Sequence, residues 1–175
     1  MSNNPERKTK FDLIAVEKAT DNGTILINID SQIVNDVAHE YLKRLYPAVH
    51  IKREVTYKSS RFDFYIEKEN KKAFFEAKGV TLENGGVVSF PDAPTERGVK
   101  HLKELIEAKK EGYDACVLFI IQMEGVKYFT PNDITHKAFG DALRNAREQG
   151  VKIIAIDCKV TPDTIIPNKE VEVCL

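Results

Sequence analysis

The apolar and polar positions of this 175-residue chain change period several times, and each change marks an element. Residues 11–16 and 24–29 are short β-branched runs on either side of Asp21-Asn22-Gly23, the signature of a hairpin. From there Ile33, Val34, Val37, Ala38, Tyr41, Leu42 and Leu45 draw one stripe on a helix that stops before Pro47, with Asp30 or Ser31 as its cap. Three strand-like runs follow, about 50–57, 61–67 and 73–80, separated by turn-like segments at 59–60 and 68–72, which predicts an antiparallel meander. Residues 81–94 contain Gly85-Gly86, Pro91 and Pro94 and read as a long loop of the kind that carries function. Thr95 caps a helix over 96–110, with Val99, Leu102, Leu105 and Ile106 inward and Gly112 ending it. A buried strand at 115–122, a short strand ending at Pro131, a helix carrying Ala138, Leu143 and Ala146, and a core strand at 151–158 complete the pattern. The last residues, Val171 to Leu175, read as an edge strand. The order predicts one α/β domain over 11–175, a mixed β-sheet flanked by helices, preceded by a disordered tail or linker over 1–10.

Composition narrows the class. With 42% hydrophobic and 30% charged residues the chain can bury a core and stay in solution, which excludes fibrous and disordered proteins. The 26 Lys and Arg against 27 Asp and Glu leave a net charge of −1, so a histone-like basic DNA binder is excluded and any contact with nucleic acid must be local. Three cysteines without CxxC spacing suggest neither a disulfide framework nor a zinc ribbon, and Cys116 and Cys158 lie in apolar runs as buried thiols. No signal-peptide-like stretch opens the sequence and no run of about 18 apolar residues occurs, so a cytoplasmic protein without a membrane partner is expected.

Chemistry concentrates in Arg61-Phe62-Asp63-Phe64-Tyr65 and Phe74-Phe75-Glu76-Ala77-Lys78-Gly79. Strand alternation puts Asp63 opposite Phe62 and Phe64, and sets Glu76 and Lys78 on one face with Ala77 on the other. If the runs pair through the turn near 68–71, residues whose numbers add to about 139 face each other, and Asp63 meets Glu76. Two acids so opposed repel unless a cation lies between them, which predicts a metal site held by oxygen ligands, with Mg²⁺ or Mn²⁺ as the cofactor. The competing reading is a salt-bridged, solvated strand face. The flanking phenylalanines favour a half-buried cleft.

The segments Phe75-Glu76-Ala77-Lys78-Gly79 and Phe90-Pro91-Asp92-Ala93-Pro94-Thr95-Glu96-Arg97-Gly98-Val99-Lys100-His101-Leu102-Lys103-Glu104-Leu105 resemble the sugar fermentation stimulation protein A (SfsA) family, with Ser59-Ser60-Arg61-Phe62-Asp63-Phe64 similar to its SerArg-x-AspPhe segment. The resemblance runs from about Phe11 to the C-terminus. It implies a restriction-endonuclease-like core of the PD-(D/E)xK type, in which Asp63, Glu76 and Lys78 are the signature. Family members carry an OB-like domain ahead of this one, which the residues before Phe11 are too few to encode, so DNA association by this chain alone is expected to be weak. The implied chemistry is phosphodiester hydrolysis, with a metal held by Asp63, Glu76 and the carbonyl of Ala77, and Lys78 orienting water or neutralising developing charge. The alternative is a non-catalytic DNA-binding or regulatory module linked to sugar metabolism.

Further candidates are weaker. Arg97, Lys100, His101 and Lys103, near the start of a helix, offer a place for phosphates, or else form an ordinary charged face. Glu40 is a possible auxiliary acid, or a solvated helix glutamate. Gln122 either lines the cleft or satisfies a backbone group. His39, His50 and His136 lack ligand spacing and read as surface residues, while Asp92 and Glu96 read as structural.

Overall fold

In a computed structural model the chain is described over residues 11–20, 23–69 and 71–175. The tail expected over 1–10, and Asp21 and Asn22 of the expected turn, lie outside the described residues.

The hairpin is present as β1 (Ala15–Thr20) and β2 (Gly23–Asn28), in register from Ala15↔Asn28 to Thr20↔Gly23. It starts later than residue 11, since β2 ends at Asn28, and Phe11 and Leu13 are exposed. Helix α1 (Val34–Leu45) buries Val37, Ala38, Tyr41 and Leu42, as the stripe predicts, but Leu45 is exposed. Neither Asp30 nor Ser31 caps it. The N-cap is Ile33, without a side-chain bond, because Asp30 Oδ1 is already used two residues on by the Gln32 N–H at 2.9 Å.

The meander is β3 (Ile51–Tyr57), β4 (Ser60–Lys68) and β5 (Lys71–Val80), paired antiparallel. Residues 81–94 are not one long loop. Leu82–Asn84 (β6) and Val87–Phe90 (β7) form a tight hairpin on Gly85 and Gly86, whose φ of 62° and 88° are the left-handed pair that a two-residue hairpin turn requires.

Helix α2 (Glu96–Lys110) begins where expected, with Thr95 Oγ1 accepting from the Gly98 N–H at 3.0 Å. Then come β8 (Asp114–Ile121), β9 (Tyr128–Pro131), α3 (Asp133–Glu148), β10 (Lys152–Val160) and β11 (Ile165–Val173). In α3 the buried residues are Phe139, Gly140, Leu143 and Ala146, whereas Ala138 is exposed; the helix is interrupted at His136 (φ −154°, ψ 84°).

Among the described residues nine strands form one mixed sheet in the order β3-β4-β5-β8-β10-β11-β9-β7-β6. Of its parallel joins, β5 to β8 and β8 to β10 are the crossovers that carry α2 and α3; β9 also runs parallel to both of its neighbours, β11 and β7. Strand β8 shows how the core divides: Ala115, Val117, Phe119 and Ile121 pack with Leu102, Leu105, Phe139 and Leu143 of α2 and α3, while Cys116, Leu118 and Ile120 pack with Val37, Ala38 and Leu42 of α1. Helices therefore cover both faces, as the α/β pattern predicts, and the architecture is consistent with a nuclease-like fold.

The C-terminal run is not an edge strand: β11 lies between β10 and β9. Pro167 is tolerated there because it stands at a register shift opposite Cys158, where the buried Asp157 carboxylate accepts the Lys169 N–H and Asn168 Nδ2, both at 3.0 Å. Among the described residues no helix is long and apolar enough to cross a membrane.

Candidate active site

The β4–β5 ladder has the register expected from the sequence, from Lys68↔Lys71 up to Phe64↔Phe75, and stops one step short of Asp63 and Glu76. Beyond that step β4 follows β3 alone, through Val55↔Phe62 to Tyr57↔Ser60. The two strands part at the two acids. Strand β4 also turns over there: Phe64 packs on the α1 side and Phe62 on the α2 side, although regular alternation would put them on one face. The expectation that both phenylalanines lie opposite Asp63 is thereby corrected.

Where the ladder ends, the Asp63 carboxylate replaces a strand partner. Its Oδ2 accepts the Ala77 N–H at 2.8 Å, and its Oδ1 accepts Nδ2 of Asn35, on α1, at 2.9 Å. A strand residue points its N–H and C=O the same way, so the Ala77 carbonyl also faces the gap left by β4. From the other side of the sheet, His101 of α2 meets Glu76: its Nδ1 donates to Glu76 Oε1, which also accepts Lys78 Nζ at 2.5 Å. The second oxygen of Glu76, Oε2, is buried and has no hydrogen-bond partner among the described residues.

Burial pushes the Asp63 carboxyl up and the nearby Glu76 charge pushes it further, against the bonds from Ala77 and Asn35 and the Lys78 charge; its pKa is raised overall. Burial acts on Glu76 in the same sense, but the His101 bond and the Lys78 ammonium outweigh it and hold that carboxyl below its ordinary value. The pair is thus one acid that resists ionisation beside one that is kept ionised.

Lys78, 18% exposed, lines an adjoining cleft of about 430 Å³ together with Asn35, Ala77, Gly79, Asp92 and Gln122. The two acids do not line it but bond to residues that do: Asp63 accepts from Asn35 and from the Ala77 N–H, and Glu76 accepts from Lys78. Gly79 lets α1 and the residue that follows β8 close on the strand: a Cβ there would come within 2.6 Å of Gln122 Oε1 and 2.7 Å of Val34. Gln122 is buried and holds the segment after β2, donating to Asn28 Oδ1 at 2.8 Å and to the Asp30 carbonyl at 3.0 Å; it lines the cleft and satisfies a backbone group at once.

Of the residues expected to meet phosphates, Arg97, Lys100 and Lys103 are exposed on α2, with Lys100 donating to the Ser59 carbonyl at 2.9 Å. His101 is not with them; it is 4% exposed and belongs to the acid site, because its position on α2 faces the sheet. Glu40 is solvated, paired with Lys43 and Arg44, and takes no part in the site. Asn35 is the α1 residue that does, and sequence reading passed over it, since an asparagine in the first turn of a helix carries no signal of its distant partner. His136 is not a free surface residue either: it accepts the Thr95 N–H at Nδ1 (3.2 Å) and reaches Glu96 with Nε2 (3.2 Å).

The groups here that could hold a cation are the carboxylates of Asp63 and Glu76 and a backbone carbonyl; among the described residues no three His, Cys, Asp or Glu side chains come together as a metal cluster. Two carboxylates and a carbonyl suit a hard cation that keeps several waters, and the partnerless Glu76 Oε2 is the kind of orphaned acceptor that such a cation satisfies.

The profile described as the sugar fermentation stimulation protein RE domain matches residues 28–164. A sugar fermentation stimulation protein homolog of Clostridium beijerinckii is 56% identical over 99% of this chain and 76% of its own length, and one of Desulfitobacterium hafniense is 58% identical over 91% and 69%. The solved structure of Pyrococcus furiosus SfsA in complex with Ca²⁺ superposes with a TM-score of 0.78 at 29% identity, over 92% of this chain and 77% of that one. With the profile spanning both acid-bearing strands and these relatives matching this chain over nearly all of its length, the chain belongs to the SfsA family.

Proposed function

We propose that this domain is a metal-dependent phosphodiester hydrolase acting on nucleic acid, with DNA as the expected substrate, and that Mg²⁺ or Mn²⁺ is its cofactor. The observation that carries the reading is the buried, partnerless Oε2 of Glu76 beside a second carboxylate whose ionisation is disfavoured. A buried carboxylate oxygen left without a partner carries a desolvation cost that a bound cation would offset. The Ca²⁺ named for the Pyrococcus furiosus relative supports it, being a hard cation of the same oxygen-seeking class.

Asp63, Glu76 and the Ala77 carbonyl would hold the cation. When bound, it supplies positive charge that polarises a phosphodiester and lowers the pKa of a coordinated water. The protein's own groups do the rest. Asn35 and the Ala77 N–H orient Asp63, His101 orients Glu76, and Lys78, at the cleft wall, neutralises charge on the phosphate or directs the attacking water. Arg97, Lys100 and Lys103 provide phosphate contacts beside it. The reading places the domain in the cytoplasm, in keeping with three unpaired thiols; burial pushes those of Cys116 and Cys158 up to about 12, so they are inert.

The test is a melting experiment with Mn²⁺. A ligand that binds only the folded state adds about 2.7 kcal/mol at 100 times its Kd, about 5 to 10 °C for a domain of this size. Wild type should gain that much and Asp63→Asn should not. A wild type whose melting temperature ignores Mn²⁺, indistinguishable from Asp63→Asn, removes the site. A cation that binds without cleavage of any DNA or RNA substrate turns the reading to the regulatory module.

A further inference from the structure

We propose that His101 is a positioning residue that sets the cation preference of this site, by occupying Oε1 of Glu76 so that the carboxylate meets a cation through Oε2 alone. The inference rests on the cation-binding reading above and adds to it which cation the site prefers.

The geometry makes Glu76 one-sided. Oε1 takes both His101 Nδ1 and Lys78 Nζ, while Oε2 takes nothing. A carboxylate held by one oxygen offers the other as a single ligand. Mg²⁺ and Mn²⁺ accept single carboxylate oxygens in a tight octahedron at about 2.0 to 2.1 Å, whereas Ca²⁺ takes six to eight oxygens at about 2.3 to 2.6 Å and readily uses a carboxylate through both. Blocking Oε1 therefore works against the larger ion.

Of the two donors on Oε1, His101 is the rigid one. Its side chain is 5% exposed against 18% for Lys78, and its ring packs edge-on against Phe62, with centroids 6.1 Å apart. The far nitrogen completes the device. Arg97 Nε donates to His101 Nε2 at 3.4 Å, so Nε2 is an acceptor and the ring proton is assigned to Nδ1, where it faces Glu76. Outer-sphere histidines and carboxylates in metal sites act in this way, holding a ligand in one orientation.

The experiment is isothermal titration of the whole chain with MnCl₂ and, separately, CaCl₂. It compares wild type with His101→Met, which removes the donor at similar bulk, and His101→Asn, whose amide keeps a donor near the Nδ1 position. Loss of an outer-sphere partner lowers metal affinity by about 10 to 100-fold. His101→Met should lose that much Mn²⁺ affinity and much less for Ca²⁺, shifting the Mn²⁺-to-Ca²⁺ ratio by about tenfold. His101→Asn should recover most of the ratio. A folded His101→Met with the wild-type ratio overturns the proposal, as does a His101→Asn that shifts as far as Met. If His101→Met does not fold, Arg97→Leu, at an exposed position, decides in its place: a shift in the same direction supports the role, and an unchanged ratio overturns it. A wild type that binds neither ion overturns the cation site itself, a result read from wild type alone and so distinct from failure of the His101 role.

Discussion

Lys78 bonds in its resting arrangement to the carboxylate whose cation it would assist, which separates its contribution from that of the acids. In the proposed function Asp63 and Glu76 would act on the ground state by holding the cation, and Lys78 on charge that grows as the phosphodiester opens. Lys78→Met keeps most of the side-chain length, and in single-turnover cleavage with Mn²⁺ it should slow the reaction by about 10² to 10³, the about 2.7 to 4 kcal/mol typical of one electrostatic donor. Mn²⁺ affinity, titrated on both proteins, should change far less. Equal cleavage rates would take Lys78 out of the mechanism. At this scale the sequence was a partial guide. Asp63, Glu76 and Lys78 stand out because charged residues inside apolar strands are unusual. Asn35 and the buried role of His101 do not, because an amide or imidazole on a helix looks the same whether it faces water or a carboxylate.

Two elements, one of them the helix that carries part of the site, rest on single polar devices. The Thr95 cap starts the helix that carries Arg97 and His101, and Thr95→Ala should cost about 0.5 to 2 kcal/mol in denaturant unfolding, with no loss of residues that touch the acids. The β6–β7 hairpin is tied to β1 by Glu83, buried, which takes Lys18 Nζ at 2.6 Å and the Gly86 N–H at 2.5 Å. Burial pushes the Glu83 carboxyl up, yet the Lys18 and Gly86 bonds prevail and its pKa is lowered. A carboxyl depressed on folding stabilises the fold above its unfolded pKa of about 4.3, and that stabilisation fades as the pH falls through the folded value. Glu83→Gln should therefore melt below wild type at pH 7, and the difference should shrink below about pH 4. A difference independent of pH would mean that Glu83 acts by packing alone. Sequence reading missed this hairpin, because strands of three and four residues are too short for alternation to show, and the glycines and prolines around them suggest a loop.

For the molecule as a whole, a net charge of −1 leaves only local cation patches to meet phosphates. Binding to duplex DNA should be weak, and its affinity should fall with salt at a log–log slope of about −0.9 for each phosphate contacted. Arg97, Lys100 and Lys103 would account for a slope of about −3, measured by fluorescence anisotropy across salt concentrations. Tight, salt-insensitive binding would contradict the patch.

What the sequence by itself determined is whatever a short window encodes. Apart from the β6–β7 hairpin, the order of strands and helices, the burial of β8 and the register that brings Asp63 toward Glu76 follow from periods of 2 and 3.6 and from the length of one turn. Only the tertiary structure decided what depends on neighbours far along the chain. It placed β11 inside the sheet, aimed Asn35 and His101 at the two acids from opposite faces, and parted β4 from β5 where the acids stand. The physical reason is that hydrogen-bond partners across a sheet, and the face on which a helix settles, are chosen by packing of the whole core, and local periodicity carries no record of that choice.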